Sequence, residues 1–111
     1  MPLETALPQW EDGQRRLRSA DPQDRAVLEY VTGKVVDELR RRLGGPFTAQ
    51  ELVELYDRGT SWCADVALTA APEHPQAWDT MTVGDAAFAR YLREASDFAG
   101  GRLRLSAEDA A

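Results

Sequence analysis

The chain has 111 residues, a single cysteine and a formal net charge of −6. That length holds one domain with a modest core, and no run approaches the ~20 apolar residues that a membrane span needs. One cysteine makes no internal disulfide, and a net-acidic surface repels nucleic acid and anionic lipid while it attracts basic partners.

The N-terminal run MPLETALPQWEDG lacks the basic and apolar regions of a secretory signal, so the expected location is the cytoplasm. The chain has no isoleucine and no asparagine, and one lysine, Lys34, stands against twelve arginines. Codons for the scarce residues are AT-rich, which points to a high-GC genome and weakens any argument from arginine preference. The charge is unevenly spread. Residues 1–43 and 90–111 are each neutral, and residues 44–89 carry Glu51, Glu54, Asp57, Asp65, Glu73, Asp79 and Asp85 against Arg58 alone.

Taken in chain order, the apolar periodicity is helical almost throughout. A first helix is expected from about Trp10 to Ser19, with Trp10 and Leu17 facing the core and Arg15, Arg16 and Arg18 outward near its negative pole. In SADPQD, Asp21 caps a second helix, with Pro22 in its first turn and Asp24 among the free N–H groups. Leu28, Val31, Val35, Leu39 and Leu43 make its buried stripe, which Val27, Tyr30 and Val36 widen. Gly33, in the middle, costs about 1 kcal/mol relative to alanine and is read as a close helix crossing. RRLGGP closes the helix, with Gly44 as a left-handed cap and Pro46 beyond.

Thr48 and Glu51 have capping-box spacing, with Phe47 placed to staple onto Leu52, and they open a helix whose apolar face is Leu52, Val53, Leu55 and Tyr56. DRGTS is read as a stop at Gly59 and a new start at Thr60 or Ser61. The next segment, Trp62 to Ala71, is apolar in nearly every direction, which predicts a helix in the middle of the bundle. APEHPQAWD, punctuated by Pro72 and Pro75, is a loop. Thr82 and Asp85 repeat the capping-box spacing before a last helix that runs to about Ala99, with Val83, Ala87, Tyr91, Ala95 and Phe98 on one stripe and Phe88 and Leu92 beside it. Arg90–Glu94 and Arg93–Asp97 are i,i+4 pairs on its wet face. The fold expected is all-α: a compact bundle of about five helices with short capped connections, a single domain over residues 1–101 and a mobile tail over 102–111.

No catalytic constellation stands out. Cys63 and His74 could pair as nucleophile and base, but Cys63 lies on an apolar helix in the acidic third of the chain, where both features oppose a thiolate. One histidine with scattered carboxylates has no metal-ligand spacing, and the glycine pairs follow helices rather than cradle phosphate. No cofactor or metal is therefore expected. Capping accounts for Asp21, Asp24, Glu51 and Asp85.

Two interaction surfaces remain. The first is acidic: Glu51, Glu54, Asp57, Asp65 where exposed, Glu73 and Asp79 would steer a basic protein, with His74 and Trp78 in loop 72–81 giving specific contacts. The second is basic. Arg15, Arg16, Arg18, Arg40, Arg41 and Arg42 could meet nucleic acid if the first two helices bring them onto one face. FTAQELVELYDRGTSWCADVAL also reads helix, glycine turn, helix, but its second helix offers no Arg, Lys, Asn or Gln to base edges, so it is a degenerate helix-turn-helix.

LRRRLGGPFTAQELVELYDRGTSWCADVA and DAAFARYLREASDFAGGR resemble a small conserved protein family of high-GC actinobacteria, over about Trp10 to Arg102. The resemblance implies a source and carries no fold, activity or site residues. The expectation is a regulatory or accessory factor that acts by protein–protein interaction with a basic partner surface. A nucleic-acid-associated transcriptional regulator is the alternative, and a cysteine-dependent enzyme the third reading. A homodimer is compatible with each.

Overall fold

A computed structural model describes residues 2–44, 47–73 and 80–99, with backbone alone for 59–61, 80 and 95–99. The described residues form four helices and no strand: α1 (Leu3–Arg18), α2 (Pro22–Leu43), α3 (Ala49–Ala70) and α4 (Thr80–Ala99). The all-α bundle expected from the periodicity is the fold. No helix among these residues is long and apolar enough to cross a membrane. The tail over 102–111 lies outside the described residues.

α1 begins seven residues earlier than the sequence indicated, and Pro8 lies inside it. Proline removes one helical N–H, yet packing outweighs that loss. Ala6, Trp10, Gly13 and Leu17 recur at four, three and four residues and are all buried, and Leu3 and Leu7 pack against the same core.

α2 keeps its predicted ends. The Asp21 carboxylate accepts from the Gln23 N–H at 2.9 Å, and Gly44 takes the left-handed conformation at φ 73°. Its stripe of Leu28, Val31, Val35 and Leu39 is buried. Tyr30 is not part of it: its side chain is 54% exposed.

α3 opens with the predicted capping box, Thr48 Oγ1 accepting from Glu51 N–H at 3.0 Å and Glu51 Oε1 accepting from Thr48 N–H at 3.3 Å. It does not break at Gly59. Leu52, Tyr56, Cys63 and Ala67 are all buried, at steps of four, seven and four, so one continuous stripe crosses the glycine. A mid-helix glycine costs about 1 kcal/mol, less than the loss of that stripe would. The second half of α3 is also not the centre of the bundle. Asp65, Leu68 and Thr69 face solvent, with Leu68 53% exposed.

The central helix is α4. Every residue from Thr82 to Ala89 is buried, because α1, α2 and α3 all pack against it. Its most extensive partner is α1. The close approach there is made by Gly13, not by Gly33. A Cβ on Gly13 would lie 2.5 Å from the Asp85 Cβ and 3.0 Å from both the Ala86 nitrogen and the Thr82 carbonyl oxygen. A Cβ on Gly33 would meet only Arg90 Nη1, at 4.0 Å.

These two glycines give opposite predictions. Gly13→Ala forces helices apart and is expected to destabilise by about 1–3 kcal/mol. Gly33→Ala adds a better helix former in open space and is expected to stabilise by about 0.5–1 kcal/mol. Urea unfolding of the two variants checks the assignment; a neutral Gly13→Ala contradicts the close crossing.

Candidate functional site

Asp85 is where the structure departs furthest from the sequence. Its spacing from Thr82 suggests a cap, but α4 has already begun at Thr80, so Asp85 sits inside the helix and turns inward. It is 7% exposed and accepts a short hydrogen bond from the Tyr56 hydroxyl. Gln9 Nε2 donates to the Tyr56 oxygen at 2.9 Å and to Asp85 Oδ1 at 3.4 Å. A buried polar group costs free energy unless it is bonded. Here α1, α3 and α4 each contribute one member, so the cluster ties three helices.

Aromatic rings enclose it. Trp10 lies 5.4 Å from Tyr56 and 5.2 Å from Phe88, and Tyr56 meets Phe88 edge-on at 5.0 Å. Burial, with the neighbouring Asp85 carboxylate as hydrogen-bond acceptor and as like charge, pushes the Tyr56 phenol well above its usual range.

Cys63 belongs to the same interior. It is 4% exposed, and its Sγ sits 3.8 Å from where a Cβ on Gly84 would be. Burial raises its thiol to about 12, against a weaker lowering influence from Arg42. A thiol held protonated and out of water is a poor nucleophile, which opposes the cysteine-enzyme reading. His74, its suggested base, lies outside the described residues. Among the described residues no three His, Cys, Asp or Glu side chains converge to hold a metal ion.

On the surface, Glu51, Glu54, Asp57 and Asp65 are all exposed. At 100° per residue they occupy an arc of roughly 120° on the outer side of α3. Arg58 is the one base among them, and its Nε donates to the Glu54 carbonyl at 3.3 Å. Gln50 donates to Glu54 Oε1 at 3.1 Å. Leu68 follows Asp65 on the same arc. Glu73 is exposed beyond the end of the helix, and Trp78 and Asp79 lie outside the described residues.

The arginines are not brought together. Arg15 and Arg16 share Asp12, at 3.4 and 2.9 Å, near the end of α1. Arg40 bridges Asp37 at 2.8 Å and Glu94 at 2.6 Å, while Arg41 and Arg42 meet Glu38 at 2.8 and 2.9 Å. Arg42 also lies over the Trp62 ring at 4.6 Å. α2 runs away from the end of α1, so about 30 Å of helix separates the two groups. The turn that a helix-turn-helix needs is absent too, because α3 runs unbroken through Gly59.

Neither family models, nor curated proteins, nor solved structures give a match to this chain.

The buried thiol and phenol set an alkaline limit. Both hold their protons in the folded state above the pH at which the unfolded chain releases them. The unfolded state then binds fewer protons, so stability falls as pH rises. For Cys63 the loss spans its ordinary 9.0 up to about 12, with Tyr56 adding to it from about 10. Cys63→Ala is expected to flatten the early part of that loss in urea unfolding measured against pH. A parallel slope in the variant contradicts a buried protonated thiol.

Proposed function

We propose that this chain is a small helical interaction module of the cytoplasm, an accessory or regulatory factor that binds a basic protein surface through the outer face of α3. The observation that carries this reading is the exposed alignment of Glu51, Glu54, Asp57 and Asp65 along about 21 Å of helix, with Arg58 as the one base between them. Charges of one sign along a rigid helix steer an oppositely charged partner and fix its orientation. Leu68, three residues beyond Asp65, adds an exposed apolar contact within the acidic arc. This face carries four of the seven acidic residues of 44–89, while the charges of α1 and α2 neutralise one another locally in i,i+3 and i,i+4 pairs.

Nucleic acid is disfavoured as the partner. Its recognition needs a continuous cationic surface, and here the arginines are split between two distant ends and largely matched by carboxylates.

The test is capture of partners by the tagged chain at physiological salt, with nuclease, followed by elution at high salt. One stoichiometric protein, released by salt, is expected. Glu54→Lys with Asp65→Lys leaves the Thr48–Glu51 capping box intact and is expected to weaken that capture about tenfold or more, with an unchanged melting temperature. Equal retention by the double variant, or recovery only of nuclease-sensitive material, overturns the assignment of this face.

A further inference from the structure

We propose that the groove between α1, α2 and α4 binds a small organic anion with a flat or apolar body, of the aryl or short acyl carboxylate or phosphate monoester class. The groove arises from the helix arrangement. α1 and α2 each pack mainly on α4 and touch one another little, so a trough of about 670 Å³ remains between them. That volume suits a small molecule.

The lining divides by chemistry. Leu17, Ala86 and Thr32 are buried and form the deep part. The Thr32 hydroxyl already donates to the Leu28 carbonyl at 2.6 Å, so the depth of the groove is effectively apolar. Tyr30 forms one wall. Tyr30 is 54% exposed, on the side of α2 away from its buried stripe, and the Lys34 ammonium lies over its ring at 5.2 Å from the centre. An exposed aromatic wall beside an apolar floor is a stacking surface for a flat ligand body.

The polar rim is made mostly of donors. Arg18 from α1 and Arg90 from α4 both line the groove. Among the described residues Arg18 forms no ion pair, unlike Arg15 and Arg16 beside it. Arg90 reaches Glu94 only through Nε, at 3.4 Å. Gln14 accepts from Arg93 at 3.0 Å through Oε1, which leaves its amide N–H groups to donate. Two guanidinium groups and an amide can bind the oxygens of a carboxylate or phosphate with charge-assisted bonds. Glu29 is the one carboxylate in the lining. It leaves the lining with a net charge of +1 from Arg18, Arg90 and Glu29, which favours an anionic head group over a neutral one. α3 takes no part in the groove, so this site is independent of the acidic face.

Titration of the isotope-labelled chain with 4-phenylbutyrate, phenyl phosphate and the neutral 4-phenylbutyramide, followed by NMR, tests the site. Saturable shifts at Leu17, Tyr30 and Ala86 are expected with an anionic probe, and the amide is expected to bind about tenfold more weakly or worse. The tighter of the two anions identifies the head group. Arg18→Gln with Arg90→Gln is expected to weaken binding about tenfold or more, and Tyr30→Ala, which removes an exposed ring, is expected to weaken it without loss of fold. Arg41→Gln, distant from the groove, leaves binding unchanged. The proposal is overturned by the absence of saturable shifts with both anions, by equal affinity for the amide, or by affinity indifferent to both the arginine pair and Tyr30.

Discussion

The structure depends on a carboxylate that has been taken out of water. Asp85 lies inside the central helix, beneath Gly13 of α1, and accepts hydrogen bonds from Tyr56 of α3 and Gln9 of α1. Such a group is tolerated only when its partners are in place, so it fixes more than energy. α1 must present Gln9 and Gly13 one turn apart, the first as donor and the second as the space into which α4 fits. α3 must turn Tyr56 inward. A shift of either helix by one residue would leave the carboxylate without its phenol or drive a side chain into the α4 backbone.

The same constraint sets the surface. With Tyr56 inward, helical geometry turns Glu51, Glu54, Asp57 and Asp65 outward. The buried cluster and the acidic face are thus two sides of one helix. The inward side settles the rotation of α3, and the outward side inherits a field of one sign. α1 and α2 show the contrasting pattern, in which arginines near the helix ends are matched by carboxylates one turn back and also suit the helix dipole.

Much of this was legible in the residues, and the misses have physical causes. The caps at Asp21, Gly44 and Thr48 were readable because capping is local chemistry. The stripe of α2 was readable because large aliphatic residues mark it. Gly59 misled because glycine is the strongest local punctuation, whereas the stripe Leu52, Tyr56, Cys63 and Ala67 that overrides it needs a tertiary partner to count. Gly13 and Ala6 belong to the α1 stripe, but small residues give a weak apolar signal even where they allow the closest packing. Asp85 was hidden by degeneracy: three-residue spacing from a threonine serves a cap at a helix start and equally a pair of neighbours within a helix. The acidic residues of α3 were legible as a group, but their shared outward face needed the inward stripe to be continuous. Tyr30 looked like core because it is a large aromatic three residues from Val27, yet at 100° per residue it lies on the side of α2 far from the centre of the Leu28, Val31, Val35 and Leu39 stripe.

If the Tyr56–Asp85 bond organises the bundle, the two side chains are energetically coupled. The most direct test is a double-mutant cycle in urea unfolding with Tyr56→Phe, Asp85→Ala and the pair. A coupling of about 1 kcal/mol or more is expected, because each single change removes the bond and leaves the other buried polar group with fewer partners, while the double change removes both groups. Strictly additive effects would mean that the phenol and the carboxylate do not depend on one another, and that the register of α1 and α3 on α4 is set by apolar packing alone.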